Sequence, residues 1–257
     1  YEIASCLVGS EMCIRDRADA LCIVADQTAC INVRLIGYQD TLLTDTRTKD
    51  ENGNYAVTRQ YFNKCYITGN VDFIYGAGTS VFEDCDIVAR YTEYKSDGCY
   101  TAGRTYASTP YGYVFNNCRF LAEEGVADGV YRMARPWGAD DSTTFMNCYL
   151  GRAISLETSY GDMSGNLAEN ARFAEYGSYG PGYTVNNKRP YLTSAQAAKF
   201  KTDTVMGDYD YSARTATLYG TQQEKPKTDI TVVDKAEVVK NLSLIHISEP
   251  TRQEAIS

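Results

Sequence analysis

Apolar and polar residues alternate along most of this chain in short runs, and one run recurs. It reads as an aromatic residue, two polar residues, a cysteine, any residue and an apolar residue. Copies occur at Phe62–Ile67, Phe82–Ile87, Phe115–Phe120 and Phe145–Leu150, with a looser one at Ala29–Leu35. Each alternates as a strand does. Cys65, Cys85, Cys118 and Cys148 follow one another at spacings of 20, 33 and 30 residues. Periods of this size, with loops of variable length between them, predict a solenoid. In a solenoid each turn covers the apolar face that its neighbour cannot bury alone. Helical periodicity is nearly absent before residue 190. Ser194–Lys201 reads as helix with Thr193 as its N-cap. The expected class is all-β with a short C-terminal helical segment.

The two ends break the pattern. Residues 6–17 (CLVGSEMCIRDR) and 242–253 (LSLIHISEPTRQ) resemble translations of a sequencing-library transposon adapter. Leu242–Ile247 back-translates as CTG TCT CTT ATA CAC ATC. Its reverse complement, shifted in frame, encodes Met12-Cys13-Ile14-Arg15-Asp16. Two independent protein segments very rarely encode each other's opposite strand. Residues 1–17 and 242–257 are therefore read as adapter-derived and set aside, as tags are. The solenoid domain is then 18–207, truncated on its N-terminal side. Residues 208–241 turn polar and read as a tail or a linker to a lost module.

Composition narrows the partners. Of 257 residues 44% are hydrophobic, enough for a substantial core, and the net charge is −8. An acidic chain is a poor match for nucleic acid, and no apolar run reaches the length of a membrane span. The 22 tyrosines fit either a sugar-binding groove or simple strand propensity. The seven cysteines between the end segments are Cys22, Cys30, Cys65, Cys85, Cys99, Cys118 and Cys148. Four of them share one repeat position. That suits a buried packing ladder, with disulfides the alternative in an exported protein. No metal site is expected, because there is no CxxC pair and the one histidine, His246, lies in the second end segment.

Lack of histidine removes imidazole-based nucleophilic catalysis and leaves carboxylates as the natural hydrolytic device. One carboxylate attacks or activates water while a second, of elevated pKa, donates and recovers the proton. Asp40, in Gly37–Leu42, and Asp72, in Gly69–Gly76, both follow a repeat strand among apolar or aromatic neighbours. They are 32 residues apart, about one coil plus the polar loop 46–54. An aspartate at a strand end is also an ordinary turn residue.

The motifs add to this. GYQDTL at 37–42, GNVDFIYG at 69–76 and Arg135-Pro136-Trp137, in that order, resemble the pectin methylesterase family. So do Tyr111–Phe115, Phe145–Asn147 and Glu175–Gly182. The resemblance runs from about residue 18 to 207. It implies a right-handed single-stranded parallel β-helix and a secreted, periplasmic or cell-surface enzyme whose signal peptide was lost by truncation. It further implies a monomer that needs no cofactor and removes methyl groups from methyl-esterified galacturonan (pectin), releasing methanol.

Residue by residue, the resemblance makes Asp72 the nucleophile on the ester carbonyl. Asp40 is the acid for departing methanol and then the base for water. Arg135 orients Asp72 and keeps it ionised, and Gln39 donates to the oxyanion. Trp137 stacks on a sugar ring. Tyr38 walls the cleft, and Phe73 either does the same or faces the core. Two departures from the family pattern stand out. Met133-Ala134 replaces Leu-Gly before Arg135, which matters if that Gly needs a backbone conformation alanine resists. Arg17, at the end of the first foreign segment, stands where the family has a second oxyanion-hole glutamine. Glutamine is expected as the natural residue there. Two rival readings remain. One is a non-catalytic pectin-binding β-helix. The other is a β-helix polysaccharide lyase, which needs a base and usually calcium held by clustered acids; Asp84 and Asp86 share one strand, but no compact acidic cluster stands beside a basic pair.

Overall fold

The computed structural model describes residues 18–219. They form a single-stranded parallel β-helix of about five turns. Successive coils contribute one strand to each of three sheets. The first sheet runs β1 (Leu21–Ile23), β4 (Leu42–Thr44), β7 (Val71–Gly76), β10 (Gly98–Gly103) and β13 (Tyr131–Ala134). The second runs β2 (Thr28–Ile31), β5 (Arg59–Asn63), β8 (Thr79–Glu83), β11 (Tyr113–Asn116), β14 (Ser142–Met146) and β16 (Arg172–Tyr176). The third runs β3 (Arg34–Ile36), β6 (Tyr66–Gly69), β9 (Asp86–Ala89), β12 (Arg119–Ala122) and β15 (Tyr149–Leu150).

The recurring motif is the corner between the second and third sheets. Its aromatic residue ends an inward-facing strand position, and Phe62, Phe82, Phe115 and Phe145 stack along the axis. Their centroids are 4.6, 4.6 and 5.4 Å apart with rings within 14° of parallel. Each stacked pair contributes about 0.5–1.5 kcal/mol beyond its burial. The residue before each cysteine makes the bend with positive φ: Lys64, Asp84, Asn117 and Asn147 lie at 54°, 56°, 56° and 53°. Asn and Asp tolerate this left-handed geometry better than most residues.

The cysteines behind the bend form a ladder of free, buried thiols. All four donate to backbone carbonyls at the preceding corner: Cys65 to Cys30 O (3.3 Å), Cys85 to Phe62 O (3.6 Å), Cys118 to Phe82 O (3.3 Å) and Cys148 to Phe115 O (3.5 Å). Burial pushes the Cys65 and Cys85 thiols well up and Cys148 up to about 12. They are packing groups, and the disulfide alternative does not hold for the described residues. In the looser first copy Cys30 pairs with Phe62, and Val33 takes the ladder position.

The expected helix begins at its expected cap. Thr193 and Gln196 form a reciprocal capping box. α1 (Ser194–Ala197) soon tightens into a 3-10 turn (Ala198–Phe200), and two further helices follow, α2 (Thr202–Met206) and α3 (Tyr211–Tyr219). Ala197, Val205, Met206 and Tyr209 cover Tyr61, Val81, Val114 and Met146 on the outer face of the second sheet. The ordered unit thus continues past residue 207. Tyr209 is buried, and the Tyr211 ring lies 4.5 Å from that of Tyr61. Polar composition hid these contacts because tyrosines make them. Residues 1–17 and 220–257, and with them both end segments and most of the tail, lie outside the described residues.

Candidate active site

The site lies on the first sheet. Gln39 bridges Val71 and Leu42 pairs with Ile74, a constant offset that puts Asp40 level with Asp72 on the adjacent coil. Adjacent strands are ~4.8 Å apart. The Asp40 amide donates to Val71 O at 3.2 Å. Both aspartates have positive φ, 59° for Asp40 and 50° for Asp72. Non-glycine residues in this region concentrate at functional sites, where the surrounding structure over-determines them.

Asp72 is buried at 4% exposure. Arg135 reaches it from just after β13 and clamps both carboxylate oxygens, Nε to Oδ1 at 2.6 Å and Nη2 to Oδ2 at 2.5 Å. This bidentate geometry is the strongest common form of charge-assisted pairing. It raises the Arg135 pKa against the opposing effect of burial. Trp137 is partly buried in the same turn, its ring 6.0 Å from Tyr75 and under the Arg104 guanidinium at 4.5 Å. The Asn166 side chain holds the Pro136 and Trp137 carbonyls at 3.2 and 2.9 Å. Tyr38 is half-buried in the turn leading to Asp40, with Arg90 4.0 Å over its ring. The arrangement presents a buried, oriented carboxylate, a second carboxyl one coil away, an amide beside it and an aromatic wall.

The sequence profile of the family described as Pectinesterase matches residues 8–208. The chain belongs to the pectinesterase family. Pectinesterase A of Dickeya dadantii (strain 3937) is 38% identical over 205 residues, covering 69% of this chain and 52% of that protein. Pectinesterase 31 of Arabidopsis thaliana is 33% identical over 179 residues, 68% of this chain and 50% of that one. Among solved structures, the pectin methylesterase PemA from Erwinia chrysanthemi superposes with a TM-score of 0.61 at 33% identity. It covers 71% of this chain and 58% of that one. A pectin methylesterase in complex with a hexasaccharide gives the same values. The chain spans about half the length of the curated pectinesterases it matches.

The register puts Gln39 and Asp40 on the coil next to Asp72, and Arg135 reaches Asp72 from two coils on, with Tyr38 two residues before Asp40 and Trp137 two after Arg135. Phe73 is corrected. It is fully buried in the core, 5.5 Å from the Tyr100 ring, because the bend at Asp72, where β7 and β10 shift register, turns both Phe73 and Ile74 inward. It cannot wall a cleft. Ala134 does not have positive φ, so replacing the family glycine costs no backbone strain there. Residue 17 lies outside the described residues. Asp84 accepts from Asn117 and Asp86 is held bidentate by Arg119, so neither joins the site. Among the described residues no three His, Cys, Asp or Glu side chains are grouped to hold a metal ion, and no helix is long and apolar enough to cross a membrane.

One neighbour escaped the sequence reading. Leu21 pairs with Leu42 and the Ala20 amide donates to Thr41 O, which puts Asp19 level with Asp40 on the preceding coil. Asp19 accepts the Tyr75 hydroxyl at 2.6 Å. Burial raises its pKa against the lowering effect of that bond. Its only signal was the 21-residue offset to Asp40, invisible without the register.

Proposed function

We propose that this chain hydrolyses the methyl esters of galacturonan, acting outside the cytoplasm where pectin is met. The observation that carries the reading is the Arg135 clamp on buried Asp72, with Asp40 in register one coil away. The pectinesterase relatives support the substrate class.

In this reading an Asp72 oxygen forms a bond to the ester carbonyl carbon, and the electron pair of the C=O moves to oxygen. The Gln39 amide donates to that oxyanion. Collapse of the tetrahedral adduct breaks the bond to methoxide, which takes the Asp40 proton and leaves as methanol. The acyl group is then an anhydride with Asp72. Water, giving its proton to Asp40, attacks the substrate carbonyl and restores Asp72 and the free galacturonate. Arg135 holds both carboxylate oxygens between these steps, so the nucleophile needs little reorganisation.

Methanol release from highly methylated pectin tests the reading, with Asp72→Asn as the partner variant. Release by the parent chain that is lost in the folded variant is the expected result. No release from the folded parent, or equal release from both, rejects it.

A further inference from the structure

Tyr75 ties three coils of the first sheet together. In β7 it is level with Leu43 on the coil before, and Leu43 is level with Cys22 on the coil before that. The Tyr75 hydroxyl nevertheless donates to Asp19, three residues ahead of Cys22 in the chain, at 2.6 Å. Its ring therefore lies across the intervening coil, the one that carries Asp40. Burial, the bond to Asp19 and the charges of Asp19 and Asp40 all push the phenol up, so it keeps its proton and stays a donor. A phenol donating to a carboxylate makes a charge-assisted bond, stronger than one between neutral groups. The tied ring belongs to the site. Tyr75 is half-buried, and its centroid lies 6.0 Å from that of Trp137 at an interplanar angle of 50°.

Trp137 depends on its neighbours for orientation. Asn166 holds its carbonyl at 2.9 Å, which fixes the backbone and leaves the indole free to turn. The Arg104 guanidinium, bridged to Asp45, stands 4.5 Å over the indole. Gly138 lets the turn close on Arg104, where a Cβ would lie 2.8 Å from Arg104 Cα. Tyr75 is the aromatic neighbour of the indole, and its own tilt is set at Asp19. Anchoring a tyrosine at its far end removes the rotation the side chain otherwise keeps, and a binding group needs such support behind it to hold its angle. We infer that Asp19 is a positioning residue: by holding the Tyr75 hydroxyl it fixes the Tyr75 ring and, through it, the angle at which the Trp137 indole meets the sugar. This rests on the proposed function. Asp19 acts through Tyr75 and does not itself touch the sugar.

Trp137 is the one tryptophan of the chain, so indole fluorescence reports this ring alone. The full chain is compared with Tyr75→Phe, Asp19→Ala, the double variant and Asp19→Asn, which keeps an acceptor for the phenol without the charge. Acrylamide quenching of the indole and methanol release from highly methylated pectin are measured on each, and urea unfolding identifies the folded variants. Tyr75→Phe and Asp19→Ala are expected to make the indole easier to quench and to raise KM by roughly fivefold to tenfold with kcat within about twofold, because the groups at the ester are unchanged. The double variant is expected to lose no more than either single one, as for the two ends of one bond. Asp19→Asn is expected to stay within about twofold of the parent. Unchanged quenching or unchanged KM in folded Tyr75→Phe and Asp19→Ala overturns the inference, and so do additive losses in the double variant. Asp19→Asn behaving like Asp19→Ala also overturns it, and moves the effect to the charge beside Asp40. A parent that releases no methanol rejects the esterase reading, and the quenching comparison then still decides whether Asp19 fixes the indole.

Discussion

Asp141 closes the turn that carries Arg135 and Trp137, and its burial makes a sharp prediction. It is fully buried, and Oδ1 accepts from Thr143 Oγ1 at 3.2 Å. Its Oδ2 has no hydrogen-bond partner. Gly103 packs so closely that a Cβ there would lie 2.0 Å from Oδ1. Burial outweighs the hydrogen bonds from Thr143 and the Gly103 and Ser142 backbone and pushes the carboxyl up to about 7. The folded state therefore keeps a proton that the unfolded chain, with its carboxyl near 3.9, has already released. Stability from this group is greatest below the unfolded pKa and falls as pH rises towards the folded one. At 1.36 kcal/mol per pH unit the loss is about 4 kcal/mol by pH 7–8. Asp141→Asn keeps the Oδ1 acceptor and puts an NH2 where the acid's own O–H sits, so it mimics the neutral form at every pH. Urea unfolding of both proteins at pH 4, 6 and 8 reads the difference. The variant is expected to match the parent near pH 4 and to exceed it by about 4 kcal/mol at pH 8. A difference that stays constant across this range, or shrinks as pH rises, refutes the reasoning.

Three further outcomes are expected. Phe73→Ala should lower stability by about 3–5 kcal/mol in denaturant titration, as for a large side chain deleted from a packed core. Arg189 and Glu175 form a bidentate ion pair, 1% and 0% exposed, and Tyr160 also donates to Glu175. Arg189→Met leaves that carboxylate uncompensated and should cost about 3–5 kcal/mol, read as a fall in the unfolding midpoint. In the native protein, iodoacetamide should leave Cys65, Cys85, Cys118 and Cys148 unlabelled by peptide mass spectrometry, because each is buried and keeps its proton at neutral pH.

The repeat was legible because a parallel coil uses the same residue types at the same corner each time. The phenylalanine and cysteine ladders are the sequence pattern seen along the axis. The helix cap at Thr193 was equally local, a hydroxyl and a glutamine three residues apart. Asp40, Asp72, Gln39 and Arg135 could be named because each sits in a long motif. Beyond these points the pattern loses its hold. The last coil replaces the ladder phenylalanine with Glu175, stacked in register on Phe145, and a carboxylate is tolerable there only because Arg189 returns from a distant loop. Phe73 could be placed on either face because the bend at Asp72, where β7 and β10 shift register, breaks the alternation and sends Phe73 and Ile74 both into the core.

What the chain determined by itself was periodicity: strand character, the corner residues and the chemistry at its motifs. What only the tertiary structure decided was registry between coils. Loops of different lengths separate the turns, so equal sequence spacing does not mean equal height on the axis. The alignment of Asp19 with Asp40 and Asp72, the reach of Tyr75 across a coil to Asp19 and the burial of Asp141 all depend on that registry. Each arises from contacts between residues of different coils, and local sequence carries no record of which coil lies alongside at that height.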